Sequence, residues 1–114
     1  MLIILDTNFI IYCINNRIDI KNSIKQALDT NFELAIIDKT IDELENLNNK
    51  IALKLIKDFK IIKTKKDKIV DNLILDLADK NTIVATMDLN LRKKLKEKNI
   101  KVLVIRQKKY IQEI

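Results

Sequence analysis

No glycine, no proline and no histidine occurs among the 114 residues of this chain. The first two absences constrain the fold. Glycine gives free access to left-handed backbone and proline a rigid turn, so here Asn and Asp must make the turns. Their short polar side chains best tolerate left-handed backbone and bond their own main chain. The candidate turns are Asn15-Asn16, Asp29-Thr30-Asn31, Asn48-Asn49, Lys80-Asn81 and Lys98-Asn99. Between them, β-branched apolar runs at Leu2 to Leu5, Glu33 to Ile37, Lys60 to Ile62, Ile83 to Thr86 and Val102 to Ile105 predict strands. Apolar residues at helical spacing, such as Ile41, Leu44, Ile51 and Leu55, lie between the runs. Strands alternating with helices predict an α/β fold of three layers, with helices on both faces of a central, mostly parallel sheet of four or five strands. No linker, repeat or low-complexity stretch divides the chain, so residues 1–114 are expected to form one domain.

The same absences exclude whole classes of function. Without histidine there is no imidazole base, no imidazole metal ligand and no Ser-His pair, so any catalysis rests on carboxylates, lysines or hydroxyls. Without glycine there is no GxGxxG loop and no Walker phosphate loop. The lone Cys13, in the apolar stretch IIYCI, reads as a small buried hydrophobe in a reducing cytosol. The longest apolar run, Phe9 to Ile14, is far short of the roughly 18 residues of a membrane span. The expectation is a soluble, cytoplasmic protein with no membrane partner. Lys and Arg number 22 against 16 Asp and Glu, a formal charge of +6 that favours a polyanionic partner. A composition rich in Ile, Lys and Asn produces the same excess without such a partner, so charge alone leaves this open.

Acidic residues are then sought where a parallel sheet binds its ligands, outside the carboxyl ends of the strands. Asp6 follows the first strand and Asp88 the fourth. Glu43 sits early in the helix after the second strand, and Asp71 near the start of the helix after the third. Four carboxylates converging at one edge repel one another unless cations neutralise them, and divalent metals held by oxygen ligands are the natural solution. Each acid also has a plainer explanation. Asp6 and Asp88 suit helix N-caps, Thr40 and Glu43 fit a capping box, and Asp71 is one of several acids on its helix. On a helical wheel Glu43 borders the stripe of Leu44, Leu47 and Ile51, whereas Asp42 points away from it. Asp71 and Asp76 flank opposite sides of the next helix's apolar arc, and the wheel does not choose between them.

The set Asp6-Thr7-Asn8 after an N-terminal strand, Glu43-Leu44, Asp71-x-x-Ile74-x-x-x-Ala78 and Thr86-x-Asp88 resembles the PIN domain, a metal-dependent ribonuclease fold. The resemblance spans nearly the whole chain and rests on the order and spacing of all four motifs. The stretch from Ile83 to Tyr110 is similar to the branch that processes small-subunit ribosomal RNA and its archaeal single-domain relatives, more than to the VapC-type toxins. The resemblance implies that Asp6, Glu43, Asp71 and Asp88 form the catalytic and metal-binding set for one or two Mg²⁺ or Mn²⁺ ions. It favours Asp71 over Asp76 and gives Asn8 and Thr86 supporting places. Where the family often has a further acid, this chain has Asn90.

The resemblance implies an endoribonuclease acting on RNA, precursor ribosomal RNA in the branch it most resembles. Arg92, Lys93, Lys94, Lys65 and Lys66 are then candidates for phosphate contacts, within basic clusters that extend to Arg106, Lys108 and Lys109. With only two Tyr and three Phe, the aromatic residues are too few to build a stacking platform of the kind single-strand binders use, and specificity is expected from RNA shape or a partner. A homodimer is implied, and an antitoxin partner if the chain is of the toxin type. Two alternatives stand beside the processing enzyme: a VapC-type toxin, and a catalytically weak PIN domain that binds RNA or pre-ribosomes. A receiver-like signalling module fits poorly, because it needs an acidic pair after the first strand and Asp6 stands alone there.

Overall fold

A computed structural model describes residues 1–114. The chain runs β1 (Leu2–Leu5), α1 (Thr7–Asn15), α2 (Ile20–Ala27), β2 (Glu33–Ile37), α3 (Asp38–Asn46), α4 (Lys50–Leu55), a 3₁₀ turn (Ile56–Asp58) and β3 (Lys60–Ile62). It continues through α5 (Val70–Leu77), β4 (Thr82–Ala85), α6 (Leu89–Glu97), β5 (Lys101–Arg106) and β6 (Tyr110–Glu113). The sheet has six strands in the order β3-β2-β1-β4-β5-β6, all parallel except β6. It carries one strand more than the sequence patterning indicated. In β6 only Ile111 is buried, so the strand shows no apolar run.

Period-two alternation divides the buried side chains between two cores. Ile3, Leu5, Ile36, Ile83, Ala85, Leu103 and Ile105 face one side, where Phe9, Ile10, Ile24 and Leu44 of α1, α2 and α3 cover them. Ile4, Ile37, Val84, Val102 and Val104 face the other, beneath Leu73 and Ile74 of α5 and Leu91 and Leu95 of α6. Each such aliphatic side chain stabilises the fold by about 1.5–3 kcal/mol when fully buried. No helix is long and apolar enough to cross a membrane. Cys13 is fully buried, and burial pushes its thiol up to about 12.

The missing glycines leave a visible mark. Helices α1, α3 and α6 all end with a left-handed residue: Arg17 at φ 55°, Asn48 at 55° and Asn99 at 60°. The following amides of Ile18, Asn49 and Ile100 reach back to the carbonyls of Cys13, Leu44 and Leu95, which closes each helix as a Schellman motif. Asparagine fills two of these glycine positions, as the turn argument expects, but Arg17, Lys66, Gln107 and Lys108 also hold positive φ. Each of those non-Asn residues costs about 1–2 kcal/mol. The break at Asn48 also corrects the helical wheel. Leu47 and Ile51 are 60% and 68% exposed and form no core stripe with Leu44.

Candidate active site

The topology creates a crevice at the carboxyl edge between β1 and β4. The chain leaves β1 for β2 and β3 on one side, then returns to β4 on the other, so the connections after β1 and β4 depart over opposite faces. Asp6 ends β1 in this crevice and is 3% exposed. It occupies the N-cap position of α1 yet makes no side-chain cap bond, which sets the simple capping explanation aside. Its Oδ2 accepts a hydrogen bond from Thr86 Oγ1 at 3.0 Å. Thr86, fully buried beyond β4, also accepts from the Asp88 N–H at 3.1 Å. One hydroxyl thus joins the two acidic strand ends.

Burial pushes the Asp6 carboxyl up to about 6, the negative charge of Asp71 adds to the rise, and Glu43 contributes least. Bonds from Thr86 and the Thr7 backbone only partly offset this. Asp71, in the first turn of α5, is also raised by burial, then by the charge of the neighbouring Asp88 and by Glu43. Lys94 opposes that rise. Glu43 Oε1 accepts from Thr7 Oγ1 at 2.5 Å, and the same hydroxyl lies 3.3 Å from the buried Thr40 Oγ1. Because α3 begins at Asp38, Thr40 lies inside the helix and caps nothing, which corrects the capping-box reading. Asp88 keeps its capping task, with Oδ1 accepting from the Leu91 N–H at 2.9 Å.

Asp6, Asn8, Glu43 and Asp71 line a cleft of about 430 Å³ together with Thr7 and Asn46, while Asp88 borders Asp71 from α6. No three acidic or cysteine side chains are drawn together at the spacing that clamps one ion directly. Thr86, Thr7 and the Leu91 amide orient Asp6, Glu43 and Asp88 around the crevice, and Asp71 borders Asp88. The donor set still suits a hard divalent cation: its charged ligands are carboxylates, and positive charge relieves the repulsion that raises Asp6 and Asp71. Asp76 takes no part, being exposed and paired with Lys68 at 2.6 Å. Asn90 is exposed and does not line the cleft.

The basic residues divide by their partners. Lys66 pairs with Asp42 at 2.8 Å, and Lys98 donates to the Leu75 and Ala78 carbonyls at the end of α5. Lys65, Lys93 and Lys94 are exposed and Arg92 half-exposed. Sequence reasoning missed Asp38, although it follows the run ELAII as Asp6 follows LIIL. Its carboxylate accepts from the Lys39 N–H at 2.9 Å, the Thr64 N–H at 2.9 Å and Thr64 Oγ1 at 2.6 Å. Slight desolvation raises its carboxyl, but these bonds outweigh it and hold the group below the usual range. Asp38 thereby fixes the loop that leads from β3 to Asp71.

The model of the family described as PIN like domain matches residues 3–108. The chain belongs to the PIN-like domain family. A ribonuclease named VapC4 from Methanocaldococcus jannaschii is 39% identical over 124 residues, covering 96% of this chain and 94% of the relative. Among solved structures, the PIN domain endonuclease Utp24 superposes with a TM-score of 0.87 at 29% identity, over 98% of this chain and 90% of that one. A chain of VapBC-1 from nontypeable Haemophilus influenzae, 18% identical, shares the fold at a TM-score of 0.58, over 85% of this chain and 94% of that one. This PIN-like domain therefore places its acids at the crevice of a sheet that it shares with nucleases.

Proposed function

We propose that this PIN-like domain is a metal-dependent endoribonuclease with Asp6, Glu43, Asp71 and Asp88 as its acidic set, acting in the processing of precursor ribosomal RNA. The observation that carries the reading is the convergence of those acids at one crevice, where burial first and then neighbours of the same set raise both Asp6 and Asp71. A fold does not maintain such repulsion for its own stability. The four carboxylates would hold Mg²⁺ or Mn²⁺, which when bound acidifies water and neutralises charge on a phosphate under attack. Thr86 sets the direction of the Asp6 carboxylate while its own lone pair receives the Asp88 amide. Thr7 turns Glu43 toward the cleft. Lys94, the cation acting on Asp71, offsets part of the negative potential that an RNA backbone meets on approach. Hydrolysis by water leaves a 5′-phosphate and a 3′-hydroxyl.

Asp88→Asn tests the reading, because asparagine preserves the N-cap of α6 while removing the charge. The expected result is loss of at least about 100-fold in manganese-dependent cleavage of a structured RNA, as for other groups that stabilise transition-state charge, with a melting temperature no lower than the parent's. Full activity in the variant, or in excess chelator, would refute it. The 39% identity to VapC4 supports a second reading, a toxin ribonuclease with an antitoxin partner. Expression of this protein alone arrests growth if it is a toxin and is tolerated if it processes ribosomal RNA.

A further inference from the structure

The β5–β6 hairpin takes no part in the acidic cleft, yet it projects from the same edge. Arg106 and Tyr110 stand opposite each other at its base, and Gln107, Lys108 and Lys109 form its tip. Ile105 and Ile111 are buried in the first core, on the face where α2 packs against β6. Their neighbours Arg106 and Tyr110 therefore face the other side of the sheet, the side that α5 and α6 cover elsewhere. No helix reaches them: Arg106 is exposed, and Tyr110, at 42%, is the one exposed aromatic side chain of the protein. Arg106 Nε donates to Gln112 Oε1 at 3.1 Å, which ties the guanidinium to the strand that carries the ring.

Register places this patch relative to the acids. Leu5 pairs with Ala85 and Ala85 with Leu103, so Arg106 lies two residues beyond the level of Asp6. That is roughly 7 Å along the strands and, for β6, about 14 Å across three strand spacings. Helix α6 occupies the interval. Arg92, Lys93 and Lys96 line a shallow groove of about 680 Å³ on it, against a single acid, Glu97. Beyond it, Lys108 holds φ 55° at the hairpin tip, in a chain that uses asparagine for the same conformation after α3 and α6. The exposed tip carries two cations, Lys108 and Lys109.

We propose that the hairpin is a single-strand RNA subsite: Tyr110 stacks on one unpaired base beside Arg106, and Lys108 and Lys109 meet the adjoining phosphates. The identity of the polyanion rests on the ribonuclease reading. The subsite assigns a substrate whose strand is unpaired along α6, about 15 Å from the acids, because a base stacked in a duplex has no free face to offer. Charge complementarity calls for a polyanion, and the exposed ring beside the cations favours one that carries a base with every charge, as RNA does, over the ringless carboxylates of an acidic peptide.

Binding is measured by fluorescence anisotropy with a ten-nucleotide single-stranded RNA in the Asp88→Asn background, so that no cleavage intervenes. Adding Tyr110→Ala is expected to weaken binding about tenfold, and Tyr110→Trp to restore it. Adding Lys108→Gln and Lys109→Gln is expected to flatten the slope of log affinity against log salt by about 1.4. A trinucleotide, too short to span the interval, should bind equally with or without these changes. The proposal is overturned if Tyr110→Ala binds like its parent, if tryptophan fails to restore binding, or if a duplex or polyglutamate is weakened as much as the single strand. It is overturned too if the ten-mer does not bind at low salt. Cleavage by the parent protein is scored separately: loss of binding in Tyr110→Ala together with an inactive parent keeps the subsite and rejects the nuclease.

Discussion

Replacing Asp6 by asparagine separates what the buried carboxylate does for the fold from what it does for the site. Asp6 is 3% exposed, and its carboxyl rises from 3.8 to about 6, first through burial. Its folded-state value thus lies above its unfolded one, which means the folded protein holds this proton more tightly. Between pH 3.8 and 6 the group favours folding increasingly as pH falls; above about 6 the ionised form opposes folding by its full amount. At about 1.4 kcal/mol per pH unit that amount is about 3 kcal/mol at neutral pH. Asparagine keeps the shape and the Thr86 hydrogen bond but carries no charge. In metal-free buffer at pH 7.5, Asp6→Asn should therefore raise the melting temperature by roughly 10 °C, at about 4 °C per kcal/mol for a chain of this length. The gain should shrink as pH is lowered through 6 toward 4. Added Mn²⁺ should stabilise the parent and leave the variant unmoved, because a ligand stabilises only the state that binds it. Differential scanning fluorimetry across pH, with EDTA or Mn²⁺, reads all three outcomes. A variant less stable than the parent at pH 7.5, or a difference that ignores pH, would refute the reasoning.

Two further perturbations probe the residues that hold the site. Thr86→Val removes the hydroxyl that lowers the Asp6 carboxyl, so the acidic limb of the pH–rate profile should move to higher pH, and Thr86→Ser should restore it. Asp38→Ala releases the bonds to Thr64 and Lys39; amide exchange at Thr64 should accelerate about tenfold or more as the loop opens locally. Because the Asp38 carboxyl is held low, the stability it adds is present above its unfolded value and lost as pH falls through its folded one. The difference between Asp38→Ala and the parent should fade in acid.

The fold was legible where burial on both faces writes an unbroken apolar run. Leu2–Leu5 and Glu33–Ile37 are strands with the bounds their sequences suggest, and Thr82–Ala85 and Lys101–Arg106 differ from expectation by one residue at each end; Lys60–Ile62 also keeps its bounds, although it is an edge strand with Ile61 exposed. Such runs carry little ambiguity in a parallel sheet, which buries both sides of each central strand. Strand β6 was hidden because an edge strand beside solvent needs only one apolar contact, Ile111. The region from Ile41 to Leu55 misled for the opposite reason. Its apolar residues keep helical spacing, but the left-handed Asn48 divides them into two helices, and periodicity cannot register a break in direction. At the site, acidic residues after apolar runs could be read directly. Of the hydroxyls that orient them, Thr86 was marked only through the family resemblance, and the contacts of Thr7 and Thr40 were not legible: Thr7, Thr40 and Thr86 bond groups 33 to 80 residues away, which no local pattern records.

Position alone does not assign chemistry to an acid, and this sheet shows why. Asp6, Asp38 and Asp88 each follow a strand at the same edge. Asp38 follows β2, where Thr64 and the Lys39 amide already saturate its carboxylate with donors; charge held in that way is stable without a cation. Asp6 follows β1, at the point where the connections diverge. It is buried with a single side-chain donor and other acids for neighbours, and its charge is left uncompensated. Asp88 spends one oxygen on its helix and turns toward Asp71 with the rest of its charge. The donors that reach Asp6 only partly offset its burial and its acidic neighbours, whereas those on Asp38 hold its carboxyl low; that difference makes Asp6 and Asp71 suited to a metal and Asp38 suited to a loop. The distinction is one of unspent charge, and it is present before any ligand is considered.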